Sequence, residues 1–355
     1  MTVCYFGIYN PQYSRNWIII EGLRQNGVDV VECNCRMTGN RKYFQLIGKF
    51  WKVRKQFKTL VIGFPGQTIM PLAWLLARLF GKRIIFDAFV SQYLSLVEDR
   101  RLYRPRSLKG GYLRLLDRYS CILADLVLLD TQAQIDYFIS KFGLRKIKFL
   151  RIFVGADNSV YFPKTKENQA NKFIVHWHGY IVPFYSVETI INAADILKTN
   201  SDIIFRIICK FDRSLNKIKA MAKKMGLNNI EFIPEVSRNE LAEYINQADV
   251  CLGIFGKNLK AGLVIPNKIY EAVACAKPVI TANFKVINEV FDSNSVILCQ
   301  PEDPEDLAKK IITLKNNSDF KNNISETAYE VYRVNLTPEK VVFNLINVIT
   351  NHETS

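Results

Sequence analysis

The chain reads as an α/β protein built from two doubly wound, Rossmann-like domains that face a cleft. Three observations predict this. Apolar runs of four to seven residues recur without strict alternation, the habit of parallel strands buried on both faces. Helical patterns separate them, as parallel crossovers require. The same arrangement then repeats after a polar stretch, Lys164–Lys172. A hydrophobic content of 49% against 23% charged residues places the whole chain among globular proteins.

In the first half the predicted strands are Val3–Tyr9, Val28–Cys33, Leu60–Phe64, Arg83–Phe89, Leu126–Asp130 and Lys148–Phe153. Helices fit between them, among them Arg15–Asn26, Thr68–Phe80 and Leu108–Leu123. The second half gives Phe173–Trp177, Ile203–Cys209, Ile230–Ile233, Val250–Phe255, Pro278–Thr281 and Val296–Cys299. The expected domains are residues 1–165 and 171–335. A last helix, Pro338–Thr350, lies in a segment (336–355) that would return to the first domain. The amino terminus enters a strand directly, without the pattern of a secretory leader. The longest apolar run, Ile69–Ala77, meets Arg78 too early to span a membrane.

Eight cysteines sit mostly inside apolar runs, as buried thiols do, and Cys33-Asn-Cys35 lacks the spacing of a zinc site. His176 and His178 alternate with Trp177 at a strand end; with three histidines in the chain, a metal cluster is not expected. Pro301–Asp306, although acidic, is placed to cap the helix that follows.

The richest segment is Gly262-Leu-Val-Ile-Pro-Asn-Lys-Ile-Tyr-Glu271 and its continuation to Ile280. A loop ends at Pro266, a favoured first helical residue. Lys268 and Glu271, three apart, share one helix face. A lysine opposes the positive end of the helix dipole, so local stability does not select it. An anion held at the helix start would. Glu271 can accept hydrogen bonds from vicinal hydroxyls such as those of a ribose. A solvated Lys–Glu pair on a surface helix is the plainer alternative.

This segment resembles the donor motif of retaining GT-B glycosyltransferases of family 4, in its Pro-Asn-Lys-x-x-Glu variant. Gly179–Pro183 with Val187–Ala193, Leu227–Ile233, Leu241–Asp249, Val154–Asp157 with Tyr161–Pro163, and Asp130-Thr131 resemble further family segments in the same order. The resemblance implies a retaining hexosyltransferase that uses a nucleotide-diphosphate sugar without a metal or other cofactor. Lys268 would neutralise the leaving diphosphate and Glu271 would hold the ribose. Asn267 and the backbone of Gly262, Leu263, Val264 and Ile265 would line the donor, with Lys210 or Arg213 as further cations. The chain departs from the family in several places, among them Ala276, where a glycine is usual before Lys-Pro, and the loop Tyr9–Asn16, which lacks the family's glycine-rich form. Leu263 stands where a second Glu is usual, and Tyr180 and Tyr185 stand where an Arg and a Lys are usual. A non-catalytic or weakly catalytic module, or a nucleotide-sugar epimerase, are the alternatives.

In the first domain, Asp87 at a strand end is the candidate to orient or deprotonate an acceptor hydroxyl, with a turn or cap as the plain reading. Arg15 and Asn16, in the loop opening the first helix, are acceptor-side candidates, although Ser14 or Asn16 could serve only as a cap.

Charge is uneven. Residues 1–170 hold 27 Lys+Arg and 12 Asp+Glu, whereas residues 171–355 hold 21 of each. Arg41–Lys58 carries seven cations and no acid, and reads as a helix with Phe44, Ile47, Phe50 or Trp51, and Arg54 or Lys55 in one stripe. Arg100–Lys109 adds five cations. Each basic residue at an anionic surface contributes about 1 kcal/mol. The expected partners are therefore an anionic membrane surface, met through residues 41–58 and 100–109, and a lipid-linked or anionic acceptor. An ordinary helix burying its aromatics is the competing reading. No nucleic-acid-binding signature accompanies the charge. Peripheral association with the cytoplasmic membrane face, in polysaccharide or glycoconjugate synthesis, follows as an expectation.

Overall fold

The computed structural model describes residues 1–35, 39–165 and 172–353. Most of the expected polar linker, 166–171, lies outside the described residues. The chain forms two compact units, residues 1–155 with 336–355, and residues 156–335.

The first unit runs β1 (Thr2–Gly7), α1 (Ser14–Gln25), β2 (Asp29–Asn34), α2 (Arg41–Val53), β3 (Thr59–Ile62), α3 (Met70–Leu79), β4 (Arg83–Asp87), α4 (Leu108–Leu123), β5 (Leu126–Leu129), α5 (Gln132–Phe142) and β6 (Phe149–Arg151). Its sheet has the order β2-β1-β3-β4-β5-β6 with every pairing parallel. The strand order reverses beside β1, so β1 and β3 flank the switch point.

The second unit runs β7 (Phe173–His178), α6 (Val187–Ile196), β8 (Ile203–Cys209), α7 (Arg213–Lys224), β9 (Ile230–Pro234), α8 (Arg238–Gln247), β10 (Val250–Leu252), α9 (Asn267–Ala274), β11 (Val279–Ala282), β12 (Ile297–Cys299), α10 (Pro304–Asn316) and α11 (Ser318–Asn335). The order β12-β11-β10-β7-β8-β9 is again wholly parallel, with its switch point between β7 and β10. Asp303 caps α10 by accepting from the Asp306 amide, as the sequence position predicts.

The chain then returns to the first unit as two helices rather than the single one expected, α12 (Pro338–Val341) and α13 (Phe343–Glu353). Val342, Leu345 and Ile349 are fully buried in one core with Val3, Ile18, Leu23 and Ile85. The contact with α1 is close: a Cβ on Gly22 would meet the Pro338 carbonyl oxygen at 2.2 Å, so no side chain fits there.

The basic stretch differs from its predicted form. Its helix stops at Val53, and its inner face is Leu46 and Phe50, four apart and fully buried. Phe50 packs edge-on against Phe6 and Phe57. Phe44 and Trp51, placed in the stripe by spacing, are 76% and 53% exposed. The physical reason is rotation: the helix turns Leu46 and Phe50 to the sheet, so residues two positions before and one after cannot share that face.

All eight cysteines are buried, and none forms a disulfide among the described residues. Among the described residues no helix is long and apolar enough to cross a membrane.

Candidate functional site

The second unit places a helix start over the end of its central strand. β7 ends at His178, next to the switch point. Gly179 follows with φ +135°, a conformation open to glycine, and a Cβ there would lie 3.2 Å from the Lys268 ammonium nitrogen. Pro266 proves to be the residue before the helix rather than its first, and α9 begins at Asn267 without a side-chain cap.

The amides of Val264, Ile265, Asn267 and Lys268 donate to no acceptor among the described residues. The expected cradle is therefore shorter than predicted. Gly262 and Leu263 spend their N–H groups in turns, on the carbonyls of Leu259 (3.2 Å) and Lys260 (3.0 Å). What remains is a run of unspent donors at a helix N-terminus, the electrostatic form of an anion site.

Lys268 and Glu271 are both buried, not a solvated surface pair. Among the described residues the Lys268 Nζ has no hydrogen-bond partner, and it lies 3.9 Å from the centre of the Trp177 ring and 3.5 Å from that of Tyr185. Burial pushes this amine well below its ordinary 10.5, and the Glu271 carboxylate opposes that shift. The two ring faces favour the charged form as well. A buried amine without an acceptor is costly. Tyr185 therefore stands as one wall of the lysine's enclosure, in the place where the resemblance leads one to expect a second cation.

Glu271 meets the other face of the same strand. His178 Nε2 donates to Glu271 Oε2 at 2.9 Å. A carboxylate only accepts, so His178 carries its proton on Nε2, and its Nδ1 accepts from His176 Nε2, also at 2.9 Å. His176 Nδ1 ends this relay, buried and without a partner among the described residues, as suits an unprotonated nitrogen. Burial, with His178, Arg206 and Lys268 nearby, pushes His176 well below 6.5. One turn of α9 thus grips both faces of β7, Lys268 on Trp177 and Glu271 on His178. Glu271 Oε1 accepts no hydrogen bond among the described residues.

Lys210 and Arg213 differ from Lys268 and Glu271 in exposure. Both are exposed, on the turn from β8 into α7, where Asp212 caps the helix. Among the described residues no group of three or more His, Cys, Asp or Glu could hold a metal.

In the first unit the expected acceptor-side residues form a buried brace. Arg15 Nε lies 3.1 Å from both oxygens of Asp87, and its Nη2 lies 3.0 Å from Oδ1. Arg15 Nη1 donates to the carbonyls of Ile152 and Phe153, at 2.7 and 3.1 Å. Neither side chain of the pair has any exposed surface. Burial pushes the Asp87 carboxyl up, against the pull of Arg15.

Asn16 is equally enclosed. Its amide nitrogen donates to the carbonyls of Asn10 and Phe64, and its oxygen accepts from the Tyr5 hydroxyl and the Phe64 amide. It ties together the loops after β1 and β3. Neither Ser14 nor Asn16 caps α1; the residue before the helix is Tyr13, and no side-chain cap bond forms. These three residues are fully buried and hold the strand ends in this arrangement.

Residues 160–331, all within the second unit, match the family model described as glycosyl transferases group 1. Two uncharacterized glycosyltransferases of Methanocaldococcus jannaschii are similar. One is 24% identical over 181 residues, covering 50% of this chain and 45% of the relative. The other is 29% identical over 154 residues, covering 43% and 41%. The chain thus spans less than half the length of these curated relatives.

Among solved structures, Anabaena HepE in complex with UDP-glucose has a TM-score of 0.73 at 16% identity, covering 99% of this chain and 100% of that one. Sucrose-phosphate synthase from Thermosynechococcus elongatus gives 0.75 at 12% identity, covering 100% and 99%. At such identities the likeness establishes the fold: two Rossmann-like units of the GT-B type.

Proposed function

We propose that the protein is a glycosyltransferase that takes its sugar from a nucleotide-diphosphate donor bound at the start of α9. One observation carries the reading: a buried lysine amine without a hydrogen-bond partner, in the first turn of a helix whose leading amides are unspent. Such a place favours an anion, and a diphosphate is one. Glu271, one turn on, presents a free oxygen to the ribose. The HepE complexes with UDP and with UDP-glucose support the choice of ligand class, by fold alone.

Chemistry then follows from charge. As the glycosidic bond to the donor breaks, negative charge grows on the diphosphate, where Lys268 and the helix amides lie. Retention of anomeric configuration, transfer of a hexosyl unit and independence from a bound metal belong to this proposal through the family resemblance. The acceptor we assign is a lipid-linked or anionic saccharide at the cytoplasmic membrane face. The basic excess of residues 1–170, concentrated at 41–58 and 100–109, supports that assignment.

A weakly catalytic donor-binding module is the second reading. It is favoured by Tyr180 and Tyr185, which stand where the resemblance leads one to expect two cations. Calorimetry with UDP, GDP and their sugars, followed by a donor hydrolysis assay, tests both. Binding with turnover supports the enzyme, and binding without turnover supports the module. Absence of binding to every nucleoside diphosphate overturns the site.

A further inference from the structure

The outer face of α4 carries an apolar stripe that stays largely exposed among the described residues. Leu108, Tyr112, Leu115, Tyr119 and Ile122 are 97%, 50%, 50%, 51% and 39% exposed. Their spacing of four, three, four and three keeps all five within about 80° of the helix circumference. α3 packs beside α4 and turns Trp74, Leu75 and Leu79 outward, at 37%, 50% and 68%. Trp51, at the end of α2, meets Phe80 edge-on just past α3, so the basic helix adjoins the same side.

The charge around this face is mainly positive; the acid just past α4, Asp125, is paired with Arg78 of α3 at 3.0 Å. Lys109 and Arg114 are exposed on opposite sides of the stripe, and Arg118 is half-buried beside Arg114. Arg100, Arg101, Arg104 and Arg106 precede it, all exposed. No acid occurs from Arg100 to Leu116, nor anywhere in α2 or α3. The acid of α4, Asp117, points inward and is spent on Ser91, Gln92 and Tyr93. Lys109 lies over the Tyr112 ring and Arg118 over that of Tyr119, an arrangement in which apolar stems lie low and charged heads can rise.

We propose that this face of α4, with that of α3 beside it, inserts into the interfacial layer of an anionic lipid bilayer. The proposal deepens the membrane reading above, which rests on charge at 41–58 and 100–109, by naming the element that enters. Leu, Tyr and Trp ringed by cations match the interfacial layer of such a bilayer, where aromatic rings sit at headgroup level and basic side chains pair with phosphates. A protein partner of ordinary kind fits less well, because interface centres are depleted in lysine and pair opposite charges.

The test uses the full chain and vesicles of phosphatidylglycerol in phosphatidylcholine, against phosphatidylcholine alone. Wild-type protein should sediment with anionic vesicles at low salt and retain part of that binding at high salt, since insertion is not screened. Leu108→Ser with Leu115→Ser and Ile122→Ser, all exposed positions, should leave the melting temperature and nucleotide binding unchanged. It should lower partitioning on the order of a hundredfold, with the salt-resistant part lost. Tryptophan at the stripe, through Leu115→Trp, should be quenched by lipids brominated near the glycerol end of the acyl chain.

If the serine variant binds as wild type, or the Leu115→Trp signal is not quenched, insertion is overturned. If Glu at Lys49, Lys52, Arg54 and Lys55 then still abolishes binding, contact by charge alone stands. If wild type ignores anionic vesicles at low salt, both readings fall. If the serine change alters only the sedimentation coefficient, a second copy covers the stripe and the lipid proposal is overturned.

Discussion

His178 Nε2 stands 2.9 Å from Glu271 Oε2, which ties the last residue of a central strand to α9, the helix of the proposed donor site. The bond occupies one carboxylate oxygen and orients the other. Behind it His176 fixes which nitrogen of His178 carries the proton. The pair of imidazoles therefore acts as a strut for Glu271.

His178→Phe keeps a ring in place and removes the donor. The donor KM should rise roughly tenfold, the range for a lost hydrogen bond to a charged group, with kcat changed less. Glu271→Gln should act in the same direction. Steady-state kinetics over a donor series measures both, and an unchanged KM in the His178 variant would separate Glu271 from its strut.

Lys268→Met keeps an apolar stem between Trp177 and Tyr185 and removes the charge. Nucleoside diphosphate binding should weaken by about tenfold to a hundredfold, while the free nucleoside binds as before. Calorimetry with both ligands reads the difference. An equal loss on the two would place the amine away from phosphate.

Lys268 also predicts a proton linkage. Burial lowers this amine in the empty protein, and a diphosphate beside it favours the charged form. Binding should then take up protons, seen as a dependence of the calorimetric heat on the buffer's ionisation enthalpy. For stability the sign is fixed. The unfolded amine titrates at the ordinary 10.5 and the folded one below it, so between the two the unfolded chain holds more protons. Stability contributed by this group rises with pH across that window. The urea midpoint of wild type, measured against that of Lys268→Met from neutral pH to about 10, should rise with pH; a difference that stays constant across the range would show that the folded lysine titrates normally.

The Arg15–Asp87 brace predicts a fold effect. Removing one partner of a buried pair costs about 3–5 kcal/mol, because the other charge is left without compensation. Asp87→Asn should destabilise the chain on that scale, and Arg15→Met combined with Asp87→Leu should recover much of it. Urea unfolding measures both. A stable Asp87→Asn protein that binds donor but transfers no sugar would restore Asp87 to the acceptor.

The strands were legible because parallel strands buried on both faces leave continuous apolar runs, and most began and ended within a residue or two of the reading. Lys268 and Glu271 were legible because three residues on a helix are neighbours. What stayed hidden has long-range causes. Asp87 is 72 positions from Arg15 and Glu271 is 93 from His178, and no local pattern announces such a partner. Arg15 and Asn16 look like site residues because polar groups in a loop are usually exposed; here the fold spends them on strand ends. Phe44 and Trp51 misled because aromatic residues usually face a core, whereas the tight seats were taken by Leu46 and Phe50. The α4 stripe was readable as a periodic pattern, but which side faced the sheet was not.

The return of α12 and α13 to the first core has a consequence for how the protein is made. Ribosomes build from the amino end, adding about 5–20 residues per second. Ile18 and Leu23 must therefore wait, on the order of ten seconds or more, for Val342 and Leu345 to emerge and cover them. The later-made second unit, contiguous from Ala156 to Asn335, is complete first. During that interval an apolar face of α1 is open to chaperones. A chain stopped at Asn335 should keep a protease-resistant second unit while its first half is digested.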